Sequence, residues 1–377
     1  MLALSNGHIY AGDTWLKNHS VVIKNGKIDR ICRSEDVPAS CLIEDLGEHH
    51  LVPGFVDIQV NGGGGVMLNN TPDKSSIEIV AAAHRKFGTT ALTPTFITDA
   101  PSKMKDMAAA LEIALKENSP GIKGIHFEGP FLNIERKGIH EESFIRPMDD
   151  GFLQLIASFD LGQVIVTLAP EKVPSDYIRA LVDMGVRVCA GHTSATFEQI
   201  QKAMNAGLSG FTHLHNAMPA MQSREPGVIG AALASQDGYC GVIADGHHVH
   251  RATLSATLAA KGPDRIMLVT DAMAPVGTND TQFTLGDQLI DVREGKCTTA
   301  EGVLAGSALD MATAVRNVAE LPGQNLLSAV KMASTTPATY LGLSDRIGQI
   351  RSGFDADLVL LDRDLKVTKT WIAGKII

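Results

Sequence analysis

No stretch of this sequence approaches the ~18 consecutive apolar residues of a membrane-crossing helix, so no membrane partner is expected. Basic charge is also scarce: 33 lysines and arginines stand against 42 acidic residues, for a net charge of −9 at pH 7. Nucleic acid is therefore not expected as a partner, because phosphate-backbone binding needs a basic face. A small anionic substrate stays open, since it needs only one or two local cations. Cysteine is sparse and irregularly spaced. Cys32, Cys41, Cys189, Cys240 and Cys297 form neither a disulfide framework nor a C-x-x-C knuckle, and read as reduced thiols. The opening Met-Leu-Ala-Leu-Ser-Asn-Gly-His lacks a basic segment followed by an apolar one and a small-residue cleavage site. A cytoplasmic location is the expectation. Low-complexity linkers and long-period repeats are missing as well, which excludes solenoids.

What is present is length and an ordinary core composition. With 377 residues, 44% hydrophobic and 20% charged, the chain can form a barrel of about 250 residues plus a smaller unit. Near the start, Val21-Val22-Ile23 and Lys27-Ile28-Asp29-Arg30-Ile31 flank Lys24-Asn25-Gly26, a strong hairpin signal. The style returns at Ala356 to Leu361 and Val367 to Ile372, so both termini are expected to build one β layer. Between them lie eight β-like runs, at 51–62, 90–98, 122–130, 163–170, 186–193, 210–216, 239–249 and 265–273. Helical periodicity separates several of them, at 75–87, 103–116, 177–184, 198–205 and 253–260. Eight such units predict an α/β chain with a (β/α)8 barrel over 51–342 and a terminal domain of 1–50 plus 343–377. An open doubly wound sheet is disfavoured because Gly62 to Gly65 leads into Val-Met-Leu-Asn-Asn, not a helix, so no G-x-G-x-x-G fingerprint forms. Residues 282–305 read as a β-hairpin excursion after the eighth strand, and 307–341 as helices that close the barrel.

Histidines concentrate late in the chain, six of the thirteen falling between His192 and His250. In a barrel, reactive groups gather where strands end. There the runs present Glu128, His192, His213 and Asp271. Two imidazoles and a carboxylate form a ligand set for Zn2+, with Fe2+ or another divalent ion also fitting, and Asp271 remains as an acid/base. Such an ion lowers the pKa of bound water from 15.7 to about 7. Singly, each residue has a plainer role: Glu128 or Asp271 as a turn or cap acid, His192 as a donor to a backbone carbonyl. Four such coincidences at four strand ends weigh less than one site. His215 shares the strand face of His213 and reads equally as a substrate contact, a donor to a ligand, or a structural group. His247 and His250 read as solvated or structural.

Several motifs in combination carry a family resemblance: Leu-Val-Pro-Gly-Phe-Val-Asp, His126-Phe-Glu-Gly-Pro-Phe-Leu, Leu-Ala-Pro-Glu, Ala-Gly-His-Thr-Ser-Ala, Thr-His-Leu-His-Asn-Ala-Met, Ile-Ala-Asp-Gly-His-His-Val, Val-Thr-Asp-Ala and Leu-Ala-Gly-Ser. Along essentially its whole length the chain resembles the N-acetylglucosamine-6-phosphate deacetylase family of the amidohydrolase superfamily. The resemblance implies a metal-dependent barrel hydrolase with a small β-sandwich from both termini, usually a homodimer. It also implies that the acetamide of N-acetylglucosamine 6-phosphate is cleaved to glucosamine 6-phosphate and acetate. Glu128, His192 and His213 match the metal ligands, Asp271 the acid/base, and His140 a residue that polarises the substrate carbonyl. Asn216, the Ala217 backbone, Arg224 and His248 match the sugar-phosphate contacts, some of them serving across a dimer. Many superfamily members carry His-x-His at the end of strand one, where this chain has Gln59-Val60-Asn61. Neutral amides are poor ligands for transition metals, and the fourth run ends in Ala169-Pro170 without a bridging lysine. One metal per chain is therefore expected.

Overall fold

A computed structural model describes residues 1–377. Its centre is an eight-stranded parallel sheet made of β1 (Phe55–Val60), β2 (Thr89–Ile97), β3 (Gly124–Glu128), β4 (Gln163–Leu168), β5 (Arg187–Ala190), β6 (Gly210–Phe211), β7 (Tyr239–Ile243) and β8 (Ile266–Val269). The strands lie side by side in chain order. The sheet closes where Val60 bridges Ala272 in parallel and the Asp271 amide donates to the Gln59 carbonyl at 2.9 Å. Every residue of β1, β2 and β3 is buried, as expected for strands covered by helices on one face and filled on the other.

The inward face is unusually polar just below the site. Asp57 and Gln59 on β1 and His126 and Glu128 on β3 alternate with apolar neighbours, so both pairs share the inner face. His126 is satisfied by the Ile58 carbonyl at 3.0 Å and by Thr167 Oγ1 at 2.7 Å, and Thr167 meets Thr212 Oγ1 at 2.6 Å. A hydrogen-bonded floor thus spans β1, β3, β4 and the first residue past β6 at low desolvation cost.

Helices α1 (Lys74–Arg85), α2 (Pro101–Lys116), α3 (Asp150–Ser158), α4 (Ser175–Asp183), α5 (Phe197–Asn205), α6 (Gly227–Ala234) and α7 (Arg251–Lys261) follow the strands. Then α8 (Met311–Ala319), α9 (Leu326–Ala333) and α10 (Thr335–Tyr340) cover the seam, α9 and α10 touching both β1 and β8. None of these helices is long and apolar enough to cross a membrane.

The excursion after β8 is larger than a hairpin. It is a four-stranded antiparallel sheet of Gln282–Leu285, Gln288–Arg293, Lys296–Thr298 and Leu304–Ser307. Its inner side, with Phe283, Leu285, Ile290 and Ala305, makes a small second core with Met67, Ile97 and Met273. The last strand is pinned to the barrel mouth, with Ser307 N donating to Asp271 O at 3.0 Å and Met273 N to Ser307 O at 2.9 Å.

Both termini form two further sheets. One carries Leu2–Ser5, His19–Lys24, Lys27–Arg33 and Leu42–Asp45; the other six strands include His8–Tyr10, His50–Pro53, Leu358–Leu361 and Val367–Ile372. His50–Pro53, which leads directly toward β1, lies between the N-terminal strand His8–Tyr10 and the C-terminal strand Leu358–Leu361.

Candidate metal centre

Glu128 is the last residue of β3, whereas His192, His213 and Asp271 each stand two residues beyond the ends of β5, β6 and β8. All three adopt the left-handed backbone, with φ of 48°, 31° and 51°. For residues other than glycine this costs on the order of 1–3 kcal/mol each and persists only when neighbours enforce it. Here they do: Asn133 N donates to the His192 carbonyl at 3.0 Å, Leu214 N to Gly241 O at 2.8 Å, and Asp271 N to Gln59 O at 2.9 Å. The turn redirects each side chain from the strand line into the mouth.

The three groups meet closely. Glu128 Oε1 lies 3.0 Å from His192 Nε2 and 2.9 Å from His213 Nε2, and the two nitrogens are 3.0 Å apart. Glu128 is 2% exposed, His192 6% and His213 4%. His192 Nδ1 donates to the Arg136 carbonyl at 2.8 Å, which leaves the Nε2 lone pair facing the cluster. Burial alone would raise the Glu128 carboxyl, but the two imidazoles override it and hold it well below the usual range. For His213 burial works downward, and the bond to Glu128 lifts it above its usual value. Two imidazole nitrogens and one carboxylate oxygen this close, in a buried mouth, fit a divalent cation of the zinc type. A wider set of Glu128, His140 and His192 has donor atoms within 4.8 Å. The set with His213 is tighter, and His140 Nδ1 is engaged by Thr98 Oγ1 at 2.9 Å.

Gln59 and Asn61 connect this cluster to Asp271. The Gln59 amide donates to Glu128 Oε2 at 3.1 Å and to Asp271 Oδ1 at 3.2 Å, and Asn61 Nδ2 donates to Asp271 Oδ1 at 2.7 Å. Oδ1 is thereby committed, while Oδ2 makes no hydrogen bond. Burial, then the charge of Glu128, raises the Asp271 pKa to about 6.

The mouth opens as a cavity of about 350 Å3, the size of a small-ligand pocket. Glu128, His140, His192, His213 and Asp271 line it, as do Asn216, Ala217 and His248. Asp245 accepts His248 Nδ1 at 2.6 Å and the His248 amide at 2.8 Å, fixing the ring. Arg224 is not brought in; it lies on an exposed segment away from the cavity wall. His215 bonds Thr257 on α7 at 2.7 Å, and His250 caps α7 by accepting Ala252 N at 3.2 Å. Three residues of the wall or its support lie outside the contacts the sequence predicts: Arg136, the sole lysine or arginine lining the cavity, and the amides of Gln59 and Asn61. Their period-two spacing signals a shared face, but not that Asp271 lies opposite.

An eight-stranded barrel with buried imidazole and carboxylate groups at its C-terminal mouth is the architecture of a barrel enzyme whose mouth can hold a divalent cation. The match to the description "Amidohydrolase family" covers residues 50–377, and "NagA composite domain" covers residues 1–51. The chain belongs to the amidohydrolase family and is a hydrolytic enzyme. It is 46% identical to an N-acetylgalactosamine-6-phosphate deacetylase of Shewanella sp. (strain ANA-3), over 87% of this chain and 83% of that protein. An N-acetylglucosamine-6-phosphate deacetylase of Haemophilus influenzae is 33% identical over 99% and 98%. The crystal structure of N-acetylglucosamine-6-phosphate deacetylase from Pasteurella multocida superposes with a TM-score of 0.96 at 35% identity, covering 100% and 99% of the two chains.

Proposed function

We propose that the chain hydrolyses the acetamide of N-acetyl-D-glucosamine 6-phosphate to D-glucosamine 6-phosphate and acetate, in amino sugar catabolism. The observation that carries this is the Glu128–His192–His213 cluster joined through Gln59 to Asp271 on one cavity wall. Near-full-length deacetylase relatives support it. Glu128, His192 and His213 would hold one divalent ion per chain, Zn2+ before Fe2+, which supplies Lewis acidity toward water and the amide carbonyl.

The protein's own groups then handle protons and position. Asp271 takes the proton of the attacking water on Oδ2, because Oδ1 is engaged by two amides, and later returns it to the departing amine. Water oxygen adds to the acetyl carbon, the C–N bond breaks, and acetate and the free amine result. His140 polarises the carbonyl as a neutral donor, since burial and then His192 hold its pKa well below the ordinary value. That role requires Thr98 Oγ1 to give its proton to His140 Nδ1 at 2.9 Å in preference to the Glu128 carbonyl at 3.2 Å. Asn216, the Ala217 amide and His248 receive the sugar phosphate, and Arg224 reaches the phosphate from a second copy in a homodimer. The protein acts in the cytoplasm.

The 46% identical relative named for the galactosamine substrate favours a second reading, deacetylation of N-acetylgalactosamine 6-phosphate. Acetate release from both epimers, before and after chelation and zinc readdition, tests the assignment. Metal-dependent release, faster from the glucosamine compound, is expected. Faster release from the galactosamine compound moves the assignment to the second reading, and no release from either contradicts both.

A further inference from the structure

Glu171 lies three residues past the end of β4, in the Leu168-Ala169-Pro170-Glu171 motif, and none of the roles above employs it. Its carboxylate gathers donors from the loops of both neighbouring strands. Oε1 accepts Asn133 Nδ2 at 2.8 Å, from the loop after β3, and Ser194 N at 2.7 Å, two residues past His192. Oε2 accepts the Thr193 hydroxyl. A carboxylate met by three neutral donors forms strong charge-assisted hydrogen bonds.

The two loops it joins are also laced to each other around His192. Asn133 N donates to the His192 carbonyl at 3.0 Å, His192 Nδ1 to the Arg136 carbonyl at 2.8 Å, and Arg136 Nε to Ser194 Oγ at 2.9 Å. Glu171 is the member of this lattice that comes from a third strand, so it ties both loops to the barrel. His192 sits at a φ of 48°, a conformation that needs such outside restraint. The same loop continues to His140, whose amide donates to the Lys137 carbonyl at 3.0 Å.

We propose that Glu171 is a positioning residue that holds His192, and through residues 133–136 the segment bearing His140, in register with Glu128 and His213. Its effect on metal rests on the reading of His192 as a ligand; its effect on the loop does not. A carboxylate is not strictly required. Glutamine keeps Oε1 for Asn133 and Ser194, and its amide can donate to Thr193 Oγ1, which already accepts from Ala195 N at 3.0 Å. Alanine leaves all three donors without their acceptor.

The test compares wild type, Glu171→Ala and Glu171→Gln as full-length chains. Amide exchange over residues 192–195 is measured on the metal-free protein, and Zn2+ affinity by competition with a chromogenic chelator. Glu171→Ala is expected to exchange at least about 10-fold faster there and to bind Zn2+ about 10-fold to 100-fold more weakly, with Glu171→Gln close to wild type. Unchanged exchange in Glu171→Ala overturns the proposal, and so does a glutamine variant as impaired as alanine. Faster exchange with unaltered zinc affinity overturns the link to the metal. A His192→Asn variant that also keeps wild-type zinc affinity assigns that failure to the ligand reading instead. Should Glu171→Ala not fold, Thr193→Val removes one donor alone, and exchange no faster than wild type in that variant overturns the restraint.

Discussion

Glu128, buried, and Asp271, half-buried, are two neighbouring acids with opposite fates. Imidazoles on Oε1 hold Glu128 ionised, while Asp271, beside that charge and enclosed by protein, is pushed up to about 6. Splitting the behaviour of neighbouring carboxyls in this way is how one site obtains a ligand and a proton carrier. Asp271→Asn keeps the shape but cannot take a proton at position 271. Turnover should fall by about 10²-fold to 10⁴-fold with substrate binding largely retained, as read by steady-state kinetics and calorimetric titration. Near-normal turnover would remove Asp271 from the chemistry. The convergence of Glu128, His192, His213 and Asp271 on one mouth was legible in the sequence, because each sits at the end of an apolar run and barrel strands end at a common face. Gln59 and Asn61 were legible as poor metal ligands, but their bonds to Asp271 span 212 and 210 positions and depend on barrel closure. Glu171 and Arg136 were hidden for the same reason, since their meaning lies in contacts between loops.

Seven of the eight strands fall within an expected run and β2 begins one residue before its own, at Thr89, because strands buried on both faces read as continuous apolar stretches. The runs extend past several strands, since the residues that turn into the mouth, such as His192-Thr193 and His213-Leu214, keep a strand-like composition. Of the helices, α6 is least legible: Gly-Val-Ile-Gly-Ala-Ala-Leu-Ala is buried almost all round and shows no amphipathic stripe. At the seam between β1 and β8 lies a pH-sensitive tie. Asp57 accepts the Thr270 hydroxyl at 2.5 Å and the Thr270 amide at 3.3 Å, yet burial dominates and raises its pKa from 3.8 to about 7. Between those values the folded chain binds this proton more tightly than the unfolded chain. The Asp57 contribution to stability is therefore full at low pH, declines as pH rises through that window, and levels off above about 7. Denaturant unfolding from about pH 4.5 to about pH 7.5 should show a flatter pH dependence in Asp57→Asn than in wild type. Parallel curves would contradict the assignment.

At the scale of the whole molecule, an acidic chain must present cations locally to receive the proposed anionic sugar phosphate. The cavity offers Arg136, while Arg224 stands exposed outside it. If Arg224 serves a partner's cavity, chains carrying Arg224→Ala and chains carrying Asp271→Asn should complement each other when mixed and reassembled, because one site of the mixed dimer then has both residues intact. Assayed activity no greater than the sum of the separate variants would place Arg224 outside the substrate site. The terminal sheets make the same point about integration: the C-terminal strand Leu358–Leu361 pairs with His50–Pro53, which feeds β1, so both ends of the chain brace the barrel's first strand. That brace was only partly visible in the sequence, as matching β patterns at the two ends without their register. The central claim, one metal ion held by Glu128, His192 and His213, is tested most directly by metal analysis of protein purified without added metal. One tightly held equivalent per chain is predicted, and two equivalents, or none with activity retained, would contradict it.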